Sequence, residues 1–308
     1  VTDRPSLDVI IPAAHAARSI GQAIDAVKAQ SYPSLGSIVV AAFDEDSAQA
    51  ARDHGASVIP NPTGSTPVGL NEALRATTAE IVARVDAHSV IPAGYLERAV
   101  DSLIATGADS VGGMQVPTGV TGWEKAIAAA MASPLGAGDA RYRIGGTAGP
   151  AETVYLGVFW RKTLEEHGGY DERFSRNQDY ELNHRIRESG GVVWFDPELR
   201  VEYRPRGSLG KLARQYFDYG QWKRTFSRTH PGSLRWRQLA PPLVLVMLAV
   251  SLVAGIWWPP AWLIPAGYAL ALIVVGLAGL PRLGISSLGV PAALATMHLS
   301  WGLGFLSG

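Results

Sequence analysis

The sequence predicts an α/β fold with a mainly parallel sheet, followed by C-terminal transmembrane helices. Three patterns carry that expectation. In the first part of the chain, short apolar runs alternate with segments of helical period, the mark of a doubly wound sheet. Toward the end, no side chain from Gln238 to Pro281 is charged, and none is charged after Arg282. The charges themselves are segregated. Residues 1–199 carry 16 basic and 25 acidic side chains, residues 200–240 carry 10 and 2, and the remainder holds only Arg282.

Taken in order, Leu7–Ile11 is a first apolar strand, and Ser19–Gln30 a helix with Ile20, Ala23, Ile24 and Val27 on one face. Ser37–Ala42 is a second strand and a helix lies near Ser47–His54. Ala56–Pro60 is a third strand, Pro67–Ala76 a helix and Ile81–Val85 a fourth strand. Ligands of such sheets sit beyond the carboxyl ends of the strands. Chemistry is therefore expected just after Ile11, Ala42, Pro60 and Val85.

The tail divides into three runs, about 241–258, 261–280 and 287–306, each close to the ~20 residues that span a hydrocarbon core of roughly 30 Å. Trp257, Trp258 and Trp262 cluster at the first turn, where amphipathic rings favour the lipid–water interface. His298 with several Gly and Ser dilutes the third run. Three segments follow: 1–200 a catalytic body, 201–238 a basic collar and 239–308 a membrane region. Arg228, Arg235 and Arg237 precede the first span, which predicts a cytoplasmic body and a multi-pass protein of the plasma (inner) membrane. Val1–Asp8 has no apolar signal-peptide core, in keeping with that side.

Composition excludes several classes. The 27 basic and 27 acidic residues balance, unlike a nucleic-acid-binding domain. With no cysteine, disulfides, thiolate zinc sites and a cysteine nucleophile are ruled out.

Two constellations carry candidate chemistry. Asp86-Ala87-His88 closes the fourth strand, and in an extended segment Asp86 and His88 project to one side. Carboxylate oxygen and imidazole nitrogen suit Mn²⁺ or a similar divalent ion; a polar strand end with solvated side chains has the same sequence. The second is Gly168–Glu172 followed by Asn177–Leu182, with Asp179 at the start of a helical segment to Ser189. There the helix dipole favours an ionised carboxylate, either as a cap or as a reactive group facing the cleft of Asp86.

The order of segments resembles the inverting family 2 glycosyltransferases of the GT-A fold, in particular the membrane-anchored branch typified by succinoglycan-biosynthesis enzymes. The matching pieces are Val9–Pro12, Gln30–Pro33, Gly69–Asn71, Val85–His88, Gly168–Glu172, Asn177–Leu182 and Gln215–Lys223, with the apolar tail. The resemblance implies a nucleotide-sugar donor and a divalent cation, Mn²⁺ or Mg²⁺, at Asp86 and His88. It implies Asp179 as catalytic base, and Pro12, Asp46 and Asn71 beside the donor. Gly157 then lies in a strand bordering the acceptor. One departure stands out. Ala42 occupies the place of the acid expected to contact uracil, and Asp46 matches the later Asp. Asp44 or Asp46 then substitutes after a loop shift, or the donor is not a UDP-sugar, or the chain is a degenerate, non-catalytic binding subunit. A sugar nucleotidyltransferase is disfavoured, because Ala13–Arg18 lacks the glycine-rich loop that such enzymes use.

In the collar, Leu209, Leu212, Ala213, Tyr216 and Phe217 recur at helical spacing among Lys211, Arg214, Lys223, Arg224 and Arg228. This suits a helix on anionic lipid headgroups or one packed on the catalytic body. Arg206, Lys223 and Arg224 are candidates for pairing with a substrate diphosphate. The expected partners are a polyprenyl-linked or polysaccharide acceptor and the lipid bilayer.

Overall fold

The computed structural model describes residues 4–308. Its strands are β1 (Leu7–Ala13), β2 (Leu35–Ala42), β3 (Ser57–Pro60), β4 (Ile81–Arg84), β5 (Ser110–Pro117), β6 (Gly149–Pro150), β7 (Tyr155–Trp160) and β8 (Val193–Tyr203). Among the described residues they form one sheet in the order β3-β2-β1-β4-β7-β5-β8-β6. The first four strands pair in parallel, β1 with both β2 and β4, and β2 with β3. Beyond β4 the pairing turns antiparallel, with β7 inserted between β4 and β5.

Parallel strands covered on both faces are apolar throughout, and β1 follows the rule. Leu7, Val9, Ile11 and Ala13 enter one core cluster, while Ile10 points to the other face and joins Val39, Leu70 and Val82. Helix Ile20–Lys28 lays Ile20, Ala23, Ile24 and Val27 on the first face. The one acidic side chain inside β1, Asp8, is met by backbone donors. Its carboxylate accepts N–H bonds from Ser37 at 2.6 Å, Thr78 at 2.9 Å and Ala79 at 3.0 Å, which fastens β2 and the approach to β4 onto β1. Gly113 in β5 lies so close to the Leu199 backbone that any Cβ would overlap its carbonyl.

By its contacts the chain divides into two compact units, Val1–Val116 with Gly145–Glu202, and Pro117–Ile144 with Tyr203–Gly308. Sequence order does not foretell that 117–144 joins the C-terminal helices. The reason is a shared core. Helix Gly122–Met131 buries Ala126, Ile127, Ala130 and Met131 among Leu212, Leu294 and Met297.

In the second unit the collar forms helix Leu209–Thr229, which runs along helix Val290–Ser307. Gly220 and Gly304 let the two backbones touch, since a Cβ on either would meet the backbone of the other helix. The collar helix therefore has a packed face supplied by its own unit. Three helical segments are long and apolar enough to cross a membrane: Trp236–Ala254, Pro259–Ala278 and Leu280–Ser307. Leu243, Val250, Leu263 and Leu270 on them are exposed, an apolar surface of the kind that meets lipid or another protein. His298, in the third segment, lies between the Tyr268 hydroxyl at 2.9 Å and the Leu135 carbonyl at 2.8 Å.

Helix Gly122–Met131 starts with a capping box. Thr121 Oγ1 accepts from the Glu124 N–H, and the Glu124 carboxylate accepts from the N–H groups of Val120 and Thr121 and from Arg204 Nε. The Thr121 N–H bond, with Arg204 and Val120, holds the Glu124 carboxyl down at about 2. A lowered folded pKa means that the contribution is present above the ordinary carboxyl value and is lost as pH falls through about 2. Thermal melts of wild type and Glu124→Gln should therefore differ most at neutral pH. The gap should narrow as pH falls below about 4.3, and a gap that does not change with pH would contradict the charged cap.

Candidate functional site

The carboxyl ends of the parallel strands converge as expected, and they carry a charged cluster that the sequence only half reveals. β4 ends at Arg84, whose side chain is 7% exposed in a strand otherwise made of Ile81, Val82 and Ala83. Its Nε and Nη2 donate to Asp86 Oδ1 at 3.1 and 2.8 Å. Its remaining nitrogen, Nη1, pairs with Asp179 Oδ1. One buried guanidinium thus holds the two carboxylates singled out from sequence, with side chains 15% and 37% exposed.

Asp86 and His88 do not sit in an extended strand end. The chain turns there, closed by the Ser89 N–H on the Asp86 carbonyl at 2.9 Å, because β4 stops at Arg84. Asp86 Oδ2 accepts from the Tyr155 hydroxyl at 3.4 Å, and Tyr155 meets Ser89 Oγ at 2.9 Å. Burial would raise the Asp86 carboxyl, but Arg84 and the neighbouring His88 outweigh it and hold it below the ordinary carboxylate range. Burial pushes the Tyr155 hydroxyl up, and that of Tyr170 up to about 12, so both stay protonated at neutral pH.

Tyr155 is aimed by irregular backbone. The β5–β7 pairing shifts register between Val111 and Gly113, and Leu156 sits at φ 48°. A positive φ at a non-glycine residue marks strain, and here it lies beside the tyrosine that touches Asp86.

Asp179 comes from the first turn of helix Gln178–Glu188, where the dipole favours its negative charge. Asn177 precedes it at φ 61°, a left-handed conformation that asparagine tolerates better than other side chains. One turn on, buried Glu181 receives Arg185 Nε and Nη2, both at 2.7 Å. Arg185 also donates to the carbonyls of His167 and Gly169. Asn71 completes the support by clamping Tyr170: its Nδ2 donates to the Tyr170 carbonyl and its Oδ1 accepts the Tyr170 N–H, both at 2.8 Å. A third bond runs from Nδ2 to Glu172 at 3.0 Å. The amide expected beside a donor is used to fix the Gly168–Glu172 loop.

Other expected positions differ as well. Pro12 lies inside β1 opposite Ala41, and the turn follows it at His15. Ala42 is buried at the end of β2. Asp44 is fully engaged: it caps helix Glu45–Asp53 and accepts the His15 N–H at 2.6 Å. Asp46 stands exposed in the first turn of that helix. Gly157 is buried within β7 against the Phe159 ring. In the second unit Arg206 is exposed, Lys223 is 5% exposed with its ammonium 4.5 Å from the Phe226 ring centre, and Arg224 stacks on Phe305.

No cluster of three or more His, Cys, Asp or Glu side chains suited to a metal occurs among the described residues. The donors that exist are Asp86 Oδ2, whose one contact is a long bond from Tyr155, and the exposed imidazole of His88. That pair fits a divalent ion whose other ligands are phosphate oxygens and water, the usual arrangement for Mg²⁺ at substrate phosphates.

Known proteins match this architecture. The profile of the family "glycosyltransferase like family 2" covers residues 5–218. The succinoglycan biosynthesis protein ExoA of Rhizobium meliloti (strain 1021) is 32% identical over 261 residues, covering 83% of this chain and 78% of ExoA. Among solved structures, the mannosyltransferase PcManGT of Pyrobaculum calidifontis, in complex with GDP-Man and Mn²⁺, superposes with a TM-score of 0.67 at 21% identity. The match covers 96% of this chain and 86% of that one. A mycobacterial protein matches with a TM-score of 0.51 at 18% identity, over 73% and 74% of the two chains.

The left-handed Asn177 gives a direct test of the backbone that delivers Asp179. Asn177→Val should lower stability by about 1–3 kcal/mol, while Asn177→Gly should stay within about 1 kcal/mol of wild type. Chemical denaturation separates the two, and equal losses would mean that the side chain rather than the backbone matters.

Proposed function

Given that this chain belongs to the family 2 glycosyltransferases, we propose that it is an inverting, membrane-anchored enzyme acting at the cytoplasmic face. It moves a sugar from a nucleotide-sugar to a lipid-linked or polysaccharide acceptor. The carrying observation is the Arg84 guanidinium shared by Asp86 and Asp179 at the carboxyl ends of the parallel strands.

Asp179 is the base. Its carboxylate is partly exposed, so an acceptor hydroxyl reaches it, and its charge is supported by Arg84 and the helix dipole. The acceptor oxygen attacks the anomeric carbon as the bond to the leaving diphosphate breaks on the opposite face. Its proton passes to Asp179, and the anomeric centre inverts in one step. Asp86 and His88 hold a divalent cation, Mn²⁺ or Mg²⁺; when bound, it supplies Lewis acidity toward the leaving diphosphate. Arg84 is a positioning residue, because it fixes both carboxylates through three nitrogens. Tyr155 orients Asp86 from the other oxygen.

With Ala42 buried and Asp44 engaged, no acid stands at the place where the family reads uracil. The related fold solved with GDP-Man and Mn²⁺ supports including GDP-sugars among the donors. ExoA's succinoglycan-biosynthesis title supports an envelope or exopolysaccharide product. Orientation rests on Arg228, Arg235 and Arg237 ahead of the first candidate span.

The test is transfer of radiolabelled sugar from UDP-, GDP- and dTDP-sugars into membrane lipid extracts, with and without Mn²⁺. Asp179→Asn should lower turnover by about 10²–10⁴-fold while donor affinity stays within a few-fold; near-normal turnover would sink the base assignment. Arg84→Lys keeps a charge but loses the fork that reaches both acids. It should lower kcat more than it raises KM for the donor, and unchanged kcat in a folded variant would remove Arg84 from the reaction.

A further inference from the structure

Outside that site, the described residues include a buried charge that forms no salt bridge. Arg143, in the short helix Arg141–Ile144, is 9% exposed. Its Nε donates to the Tyr142 hydroxyl at 3.2 Å, and its guanidinium lies 5.3 Å from the centre of the Tyr142 ring. Nη1 is buried with no hydrogen-bond partner. Arg143 forms no salt bridge among the described residues, and the phenols of Tyr142, Tyr216 and Tyr219 are electrostatic neighbours. A buried guanidinium is stable only when an anion accompanies it.

The surroundings are rich in donors. Gln215 Nε2 donates to the hydroxyls of Tyr203 at 3.0 Å and Tyr219 at 2.9 Å. Each of these oxygens accepts, so each O–H proton remains to be given away. The Tyr142 hydroxyl, which accepts from Arg143, is in the same state. Gln215 Oε1 is the one buried acceptor of the group without a partner, which suits a protonated oxygen. Tyr142, Tyr203 and Tyr219 are each partly exposed, so the cluster opens to the outside. Tyr203 and helix Leu209–Thr229 belong to the same unit as the candidate membrane helices.

We propose that Arg143, with the hydroxyls of Tyr142, Tyr203 and Tyr219, forms a binding site for a phosphate or diphosphate group. Guanidinium and phenol donors match phosphate oxygens in charge and geometry. A lipid-borne diphosphate and a free one share this chemistry. The choice of a prenyl probe rests on the lipid-linked acceptor reading above; the site itself does not.

The experiment measures binding of farnesyl diphosphate, inorganic diphosphate and farnesol to the full chain in detergent by calorimetry. Arg143→Gln should weaken farnesyl diphosphate at least about tenfold and leave farnesol unchanged, with Arg143→Lys in between. If farnesyl diphosphate binds much tighter than inorganic diphosphate and only its affinity falls, the site serves a lipid. If both bind alike and fall alike, it serves a free diphosphate. Unchanged affinity for both in a folded Arg143→Gln variant overturns the proposal. Should that variant fail to fold, the double change Tyr203→Phe with Tyr219→Phe removes two O–H donors at no cost in charge. It should weaken diphosphate binding several-fold, and wild-type affinity there overturns the proposal equally. Sugar transfer into lipid extracts by the wild type is read separately. No transfer alongside Arg143-dependent binding would fell the acceptor reading and leave the site standing.

Discussion

The ion triad of Arg84, Asp86 and Asp179 is the interaction on which the first unit's architecture turns. A guanidinium that deep in a sheet is costly unless its charge and its hydrogen-bonding directions are met. Asp86 satisfies two of its nitrogens by hydrogen bonds from the turn after β4, and Asp179 forms an ion pair with the third from a helix nearly a hundred residues further along. The fold must therefore bring the first turn of helix Gln178–Glu188 to the end of β4. It does so through the Glu181–Arg185 pair, the Asn71 clamp on Tyr170 and the left-handed Asn177. These supports look like separate local features, yet each serves the position of one carboxylate.

Much of this was readable from sequence. The alternation of apolar runs and helical periods predicts β1 to β4 and their helices closely, because parallel strands buried on both faces leave a strong compositional mark. Asp86 and Asp179 are recognisable by their places at a strand end and a helix start. Arg84 escapes notice inside the expected strand Ile81–Val85, because attention falls on the acids that follow it. The signal was present, because a charged residue inside a buried strand needs an ionic partner. Tyr155 was beyond reach, since its aim depends on a register shift and on the positive φ of Leu156. Asp44 shows the opposite failure. Its carboxylate looked free to serve a donor, but capping and the His15 N–H claim it. Local hydrogen bonding decided what spacing left open.

The second unit obeys a different constraint. Helices with exposed leucine and valine side chains cannot be ordered by burial from water alone, so close backbone contact takes over. Gly220 against the backbone at Trp301, and Gly304 against Phe217, allow the collar helix to lie along the last helix. The grouping of 117–144 with this bundle follows from the same need, because its small and flexible side chains Ala126, Ala130 and Met131 fill the space between helices. Amphipathic spacing in the collar correctly marked an apolar face but could not name what covers it.

Charge balance links the triad to its proposed ligand. Two carboxylates around one guanidinium leave a net negative charge in a recess where Tyr155 and Tyr170 stay protonated and add none. A nucleotide diphosphate brought to that site would meet charge of its own sign. On the proposed reading, a cation held by Asp86 and His88 would reverse the sign on the donor side, while Asp179 stays paired with Arg84. Replacing Arg84 by an apolar residue would leave the two carboxylates to repel each other, so the arginine is what lets the turn after β4 and the start of helix Gln178–Glu188 place their acids side by side.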